Sequence, residues 1–223
     1  MSTRPKITMQ MKEWMEDFGK KYTDRNALTL DEMNEMYRKM FGISREDLNN
    51  LFIAEMNRNI KILEVGSNIG NQLLLLQKMG FKNLYGIEIN NYAVELSKSR
   101  SKNINIIQGS AFDIPFKDKY FDLVFTSGLL IHISPSDIGV VMSEIHRCSK
   151  KYIWGFEYYF DKYVEIVYRG KKDLLWKANF PQLYLDLFKD IKLIKEKRIE
   201  YLNDNNIDVI FLLEKKGQRW TRN

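Results

Sequence analysis

The sequence predicts a doubly wound α/β fold, with a seven-stranded, mostly parallel sheet, an N-terminal helical lid and an antiparallel C-terminal hairpin. Three observations predict it. From residue 60 short apolar runs alternate with helical stretches, and the first run ends in a Gly/Asn turn. After residue 180 the alternation gives way to two strand-like runs joined by Asn203-Asp204-Asn205-Asn206. Strands alternating with helices at this spacing need crossover connections, hence parallel strands with helices on both faces.

Each element has its own signal. Ile7, Met11, Trp14, Met15, Phe18 and Tyr22 recur at helical spacing and share one face. Thr29 with Glu32 has the pattern of a capping box; it opens a helix carrying Met33, Met36, Tyr37, Met40 and Phe41, with Gly42 as its stop. Ser44 with Asp47 repeats the pattern more weakly before Leu48, Leu51, Phe52 and Met56. This methionine-rich stripe reads first as a buried face, with a lid over a ligand as the alternative. Strands are expected at residues 60–65, 84–89, 104–108, 121–126 and 152–156, and helices from the first turn to about Met79, then at 92–100 and 136–148. A helix at 180–189 precedes two strands, at 192–201 and 208–214, which form an antiparallel pair at the sheet's edge. Residues 1–59 are assigned to the lid and 60–223 to one core, with a substrate-facing insertion at about 158–180.

Composition removes other classes. The chain has 223 residues, enough for one domain with a sizeable core. Lys and Arg number 35 against 29 Asp and Glu, but residues 1–110 hold 16 and 13 and residues 111–223 hold 19 and 16. Each half is therefore +3, without the gathered basic face that nucleic-acid binding requires. A single cysteine, Cys148, excludes an internal disulfide framework, and with only His132 and His146 no metal site is expected. No apolar run approaches the roughly 20 residues that span a bilayer. The charged stretch Lys12-Glu13-Trp14-Met15-Glu16-Asp17 interrupts any signal-peptide pattern, so a cytoplasmic protein is expected.

The first strand ends Glu64-Val65-Gly66-Ser67-Asn68-Ile69-Gly70. In open α/β sheets ligands bind beyond the carboxyl ends of the strands, where strand order reverses, and glycines there let a ligand approach the backbone. Asn68 and Asn71 stand where a dinucleotide fingerprint needs glycine, and no phosphate-loop Lys-Ser/Thr pair follows Gly70. What remains is an acid-x-Gly-x-x-x-Gly turn and Glu88 at the end of strand two, suited to accept both hydroxyl hydrogens of a ribose diol. Glu64 is placed to help receive a ligand's ammonium. Both acids also have a plainer reading as strand-end charges.

These residues, with Gly86-Ile87-Glu88, Gly109-Ser110-Ala111-Phe112-Asp113-Ile114-Pro115-Phe116 and Phe121-Asp122-Leu123-Val124-Phe125, resemble the class I S-adenosylmethionine-dependent methyltransferases, whose sheet is Rossmann-like. The family pattern prefers glycine at Asn68 and an acid at Ser110. A narrower resemblance spans nearly the whole chain. Phe18-Gly19-x-x-Tyr22-x-x-Arg25-Asn26, Gly86-Ile87-Glu88-Ile89-Asn90, Gly128-Leu129-Leu130-Ile131-His132-Ile133, Glu157-Tyr158-Tyr159 and Tyr168-Arg169-Gly170 look like the pseudaminic acid biosynthesis-associated methylases, in which Asn68 is expected. The resemblance implies S-adenosylmethionine as cofactor and S-adenosylhomocysteine as product. It implies a cofactor site of Tyr22, Arg25, Asn26, Glu64, Gly66, Ser67, Asn68, Gly70, Glu88, Ile89, Ser110, Ala111, Phe112 and Ser127. Arg25 is expected to meet the methionyl carboxylate, and Ala111 or Phe112 to meet adenine through the backbone more than Ser110 through its side chain.

Methyl transfer from a sulfonium is an in-line displacement, in which the protein aligns the acceptor and removes its proton where needed. His132, after strand four, is the first choice for that base, with loop packing as the equal alternative. Glu157, after strand five, is expected to orient His132 or bind a substrate hydroxyl, or else is a strand-end charge. Tyr158, Tyr159, Tyr168 and Arg169 offer aromatic faces for a sugar ring and a planar fork for a carboxylate or phosphate, or simply a packed hairpin. His146 is expected to face solvent and Cys148 to be a packed thiol. The expected function is O-methylation of a small polar acceptor such as a nonulosonic-acid sugar or its activated nucleotide sugar. The rivals are an RNA or protein methyltransferase and a non-catalytic cofactor-binding module; neither nucleic acid nor membrane is expected as a partner.

Overall fold

The computed structural model describes residues 7–216. Among them, α1 (Met9–Met15), α2 (Asp17–Arg25), α3 (Leu30–Phe41) and α4 (Arg45–Ile53) precede the first strand. The single helix expected over residues 7–22 is two. The chain extends at Glu16, and α2 folds back so closely that a Cβ on Gly19 would lie 1.9 Å from the Trp14 carbonyl oxygen. The capping box at α3 forms as expected: the Thr29 N–H donates to Glu32 Oε2 at 2.8 Å and the Glu32 N–H to Thr29 Oγ1 at 3.2 Å. Gly42 closes the helix at φ 73°, a left-handed conformation that glycine adopts without a Cβ clash.

The core then runs β1 (Lys61–Val65), α5 (Asn71–Lys78), β2 (Asn83–Glu88), α6 (Asn91–Arg100), β3 (Ile104–Gln108), β4 (Phe121–Ser127) and a 3-10 turn at Leu130–His132. After it come α7 (Ile138–Cys148), β5 (Ser149–Tyr158), β6 (Val164–Glu165), β7 (Trp176–Lys177), α8 (Phe180–Leu187), β8 (Ile191–Glu200) and β9 (Ile207–Lys215). The sheet has seven strands in the order β3-β2-β1-β4-β5-β9-β8. β1 to β5 are parallel, while β9 is antiparallel to both β5 and β8. The hairpin stands at one edge of the sheet as expected, β8 outermost and β9 joining it to β5, with β3 at the opposite edge. β6 and β7 pair separately, forming the insertion.

Alternation along the strands divides the core. Leu63, Val65 and Val124 face Val141, Met142 and Ile145 of α7 and Phe180 and Tyr184 of α8. Ile62, Leu123 and Phe125 face Leu48, Phe52 and Ile53 of α4 and Leu73 and Leu76 of α5. α4 thus packs as core rather than as lid, whereas α1, α2 and one side of α3 overhang the carboxyl ends of the strands. Strand order reverses between β1 and β4, which opens the crevice where ligands bind in such sheets.

Candidate active site

The crevice holds a cavity of about 420 Å³, walled by the ends of β1, β2, β4 and β5, roofed by α1 to α3, and closed at one side by the insertion. The turn after β1 is shaped by left-handed residues: Gly66 at φ 76°, Asn68 at 46° and Gly70 at 81°. A Cβ on Gly66 would lie 2.7 Å from the Leu129 side chain, so the backbone itself faces the cavity. Glu88 fastens this turn to the next one. Its Oε2 accepts the Asn68 N–H and its Oε1 the Asn90 N–H, both at 2.8 Å. A carboxylate has about four lone-pair sites, so about two remain for a ligand. Burial pushes the Glu88 carboxyl up, and backbone N–H groups, Asn90 first, pull it back.

Glu64 is 2% exposed, and its Oε2 has no hydrogen-bond partner among the described residues. Burial holds its carboxyl well above the usual range, opposed by the charge of Arg45. A ligand ammonium would supply the missing partner. Gly66, Ser67 and Asn68, with Ile89 after β2, Ser110, Ala111 and Phe112 after β3, and Ser127 ending β4, line the same space. The Ser110 hydroxyl accepts the Phe112 N–H at 3.1 Å, so it is used within its own turn. The orphaned Glu64 oxygen, the spare Glu88 lone pairs and the bare Gly66 backbone fit the amino acid and ribose of S-adenosylmethionine.

From the roof, Gly19, Tyr22, Thr23 and Asn26 reach the cavity. They form an i, i+3, i+4, i+7 stripe at the end of α2, and Arg25 lies off it. Arg25 is exposed, outside the lining, with its guanidinium 6.0 Å from the centre of the Tyr22 ring, so this structure does not bring it together with the other expected cofactor residues. Gly70 is also outside the lining: a Cβ there would lie 2.7 Å from Ile106 Cδ1, so it serves turn packing. The roof is tied to the cofactor turn by Thr23 Oγ1 donating to Asn68 Oδ1 at 3.0 Å and Asn90 Nδ2 donating to the Trp14 carbonyl at 2.8 Å.

His132 lines the cavity and is nearly buried. Its Nδ1 lies 2.6 Å from the Leu174 carbonyl oxygen, which only accepts, so Nδ1 carries the proton and Nε2 keeps a lone pair. Burial pushes its pKa down to about 4, leaving the ring neutral near pH 7. The rings of Trp14 and Tyr168 flank it, with centroids at 4.4 and 5.6 Å. Glu157 lies in the same cavity but does not orient the imidazole. Its oxygens accept the N–H groups of Leu129, at 3.2 Å, and Ile131, at 3.4 Å, so it holds the backbone of the loop bearing His132. Burial pushes the Glu157 carboxyl up to about 7.

Tyr158, Tyr168 and Arg169 line the cavity, Arg169 from an exposed position with φ 50°. Tyr159, just past the end of β5, does not. It is buried, bonded to Asp161, with the Arg198 guanidinium 4.0 Å from its ring centre. Trp14, Tyr37, Asn90, Tyr201 and Asp208 line the site without having been assigned to it from sequence. Their signals were ambiguous: an aromatic stripe reads equally as core, and Asp208 as a strand residue. His146 pairs with Asp190 at 2.9 Å and stacks on Phe188, while Cys148 is packed, its thiol pushed up to about 11 by burial. Among the described residues no group of three or more His, Cys, Asp or Glu is placed to hold a metal, and no helix is long and apolar enough to cross a membrane.

Residues 63–152 match the family described as Methyltransferase domain. Over 226 aligned residues the chain is 25% identical to phosphoethanolamine N-methyltransferase of Plasmodium falciparum, covering 88% of this chain and 85% of that protein. The magnesium protoporphyrin IX methyltransferase of Synechocystis, solved with bound SAM, superposes at TM-score 0.69 and 10% identity over 96% of this chain and all of that one. The 1,6-didemethyltoxoflavin-N1-methyltransferase of Burkholderia thailandensis, solved with S-adenosylhomocysteine, superposes at 0.68 and 12% identity, over 97% and 93%. These two likenesses show the fold, the α/β sheet of class I methyltransferases.

Proposed function

We propose that this S-adenosylmethionine-dependent methyltransferase of class I fold methylates a hydroxyl on a small polar acceptor, a nonulosonic-acid sugar or its nucleotide-activated form. One observation carries the reading: a neutral histidine, with Nδ1–H committed to Leu174 and Nε2 free, shares a roofed cavity with the Glu64–Glu88 turn. When bound, the cofactor supplies an electrophilic methyl on a sulfonium. Glu64 takes its ammonium, Glu88 its ribose diol, and the backbone around Ala111 and Phe112 its adenine. His132 Nε2 receives the acceptor's proton, since a hydroxyl is a weak nucleophile unaided. Glu157 keeps the 129–132 loop in place while this happens. Tyr158 and Tyr168 offer ring faces, and Arg169 a two-pronged contact for a carboxylate or phosphate.

The roof favours a small acceptor over RNA or protein. Lys171 of the insertion meets Glu13 of α1 at 2.5 Å, and Gln10 Nε2 donates to the Asp173 carbonyl at 3.0 Å, so the first covering helix is tied to the insertion. A second reading, transfer to an amine nitrogen, is favoured by the likeness to the phosphoethanolamine N-methyltransferase over most of the chain. Methyl-labelled S-adenosylmethionine, incubated with nonulosonic acids, nucleotide sugars and phosphoethanolamine and followed by mass spectrometry, separates the two. An O-methylated sugar acid is expected. Labelled phosphoethanolamine alone establishes the amine reading, and cofactor binding without transfer to any acceptor points to the non-catalytic module.

A further inference from the structure

The cavity has a second end that the cofactor turn and His132 leave unused. It lies where β9 meets β5, with Tyr158 paired to Asp208 across the sheet. Four phenyl and phenol rings surround it: Tyr37 and Phe41 from α3, Tyr158 from β5 and Tyr201 from the β8–β9 connection, all lining the cavity. They contact one another edge to face or tilted, at 5.3 Å for Tyr37–Phe41, 4.5 Å for Phe41–Tyr201 and 6.3 Å for Tyr158–Tyr201. Asp208 lines the cavity among them, 2% exposed. Its Oδ2 accepts the Tyr201 hydroxyl at 3.3 Å, and its Oδ1 has no hydrogen-bond partner among the described residues.

A buried polar oxygen without a partner is costly, and burial holds the Asp208 carboxyl well above the usual range, a shift that a cation beside it would oppose. Neither nearby cation, Arg45 or Lys177, is hydrogen-bonded to Asp208 among the described residues. Arg45 donates to Asn49 and Tyr37, lies 5.5 Å from the Tyr37 ring centre and 4.3 Å from that of Phe156, and keeps one unpartnered nitrogen, Nη2, but it stands outside the cavity lining. Lys177 is bonded to Asn206, lies 5.5 Å over the centre of the Tyr158 ring, and is also outside the lining, so one face of Tyr158 already meets a cation of the protein. The cavity beside Asp208 is thus lined by a carboxyl group and four aromatic rings, a combination that attracts an ammonium through both charge and ring quadrupole. A neutral hydroxyl would satisfy Oδ1 but would gain nothing from the rings.

We propose that this end of the cavity is an ammonium subsite, with Asp208 as counter-ion and Tyr37, Phe41, Tyr158 and Tyr201 as its walls. The acceptor thus carries a primary ammonium at this end. The assignment rests on the reading that the cavity takes a small polar acceptor, and it narrows that acceptor to amino-bearing compounds.

Ethylammonium chloride is a probe small enough to enter whatever the rest of the acceptor looks like. It is titrated into protein carrying 13C-labelled tyrosine rings and saturated with S-adenosylhomocysteine, against ethanol and against matched sodium chloride. The Tyr158 and Tyr201 signals are assigned with Y158F and Y201F. Ethylammonium is expected to shift both signals saturably, at least about tenfold more tightly than ethanol, and Asp208→Asn is expected to remove that preference. Equal response to ethanol and ethylammonium in the wild type overturns the proposal without needing a variant, as does an undiminished preference in D208N. Failure of S-adenosylhomocysteine to bind, with the ethylammonium response intact, overturns the methyltransferase reading and leaves the ammonium subsite standing.

Discussion

Replacing Glu88 by alanine is expected to weaken S-adenosylhomocysteine binding about 100-fold. The Glu88 carboxylate spends two of its roughly four lone-pair sites on the Asn68 and Asn90 amides, both at 2.8 Å. The remaining two match the two hydroxyls of a ribose. Hydrogen bonds to a charged group contribute about 1.5–3 kcal/mol each, so even the low end gives about 3 kcal/mol, or about 100-fold in Kd. E88Q retains one carbonyl oxygen and is expected to fall between the two. Because alanine also frees the Asn68 and Asn90 amides, affinity alone does not isolate the ribose contact. Calorimetry with S-adenosylhomocysteine and its 2′-deoxy counterpart, on wild type and E88A, closes a double-mutant cycle. Wild type is expected to discriminate between the ligands and E88A to lose most of that discrimination. If both proteins penalise the missing hydroxyl equally, Glu88 does not hold the ribose.

Three other outcomes follow from the same geometry. His132→Ala is expected to lower kcat by about 10²–10⁴ while S-adenosylhomocysteine affinity holds. The wild-type acid limb is expected near pH 4 rather than 6.5, because burial keeps the ring neutral down to there; a limb at 6.5 in the pH–rate profile contradicts this. Glu157, raised from 4.5 to about 7 by burial, contributes stability that is fully present below pH 4.5 and lost as pH rises through about 7. At 1.36 kcal/mol per unit this is about 3 kcal/mol. Denaturant melts between pH 4.5 and 8 are expected to show the decline in wild type and a flatter profile in E157Q. Gly19→Ala places a Cβ 1.9 Å from the Trp14 carbonyl and 2.6 Å from Asn90 Nδ2. The overpacking is expected to cost about 1–3 kcal/mol and to loosen the roof, read as a lower Tm and weaker cofactor binding.

The sheet was legible in the sequence because its signals are local. A short strand run of Ile62, Leu63 and Val65 before the glycine turn at Gly66, and a threonine followed by an N3 glutamate at Thr29, specify their elements without distant help. Glu64, Glu88 and His132 were legible for a related reason: each ends or follows a strand, and strand ends in such sheets converge on one crevice. What was not legible depends on direction rather than position. Arg25 lies in a recognisable segment, but whether it joins the stripe of Gly19, Tyr22, Thr23 and Asn26 depends on how α2 docks. Tyr158 and Tyr159 are neighbours of the same chemistry, yet Tyr158 ends β5 at the cavity while Tyr159, one residue past it, packs against Asp161 and Arg198. Glu157 meets the His132 loop through backbone amides, which side-chain identity does not encode. Tyr201 and Asp208 reach the site through the pairing of β9 with β5, a contact made across about fifty residues.

That pairing gives the molecule an order of assembly. The groups around the cofactor, Glu64 to His132, are complete once the first five strands exist, whereas the far end needs Tyr201 and Asp208 from the last hairpin. During synthesis the cofactor half can therefore form while the other half is still unmade. Until β9 arrives, β5 presents an unpaired, largely apolar edge, the kind of surface that recruits strands from other chains. The strand that completes the acceptor end is thus also the one that protects the sheet. Damage to it would impair solubility and selectivity together, while the residues that hold the cofactor stay intact.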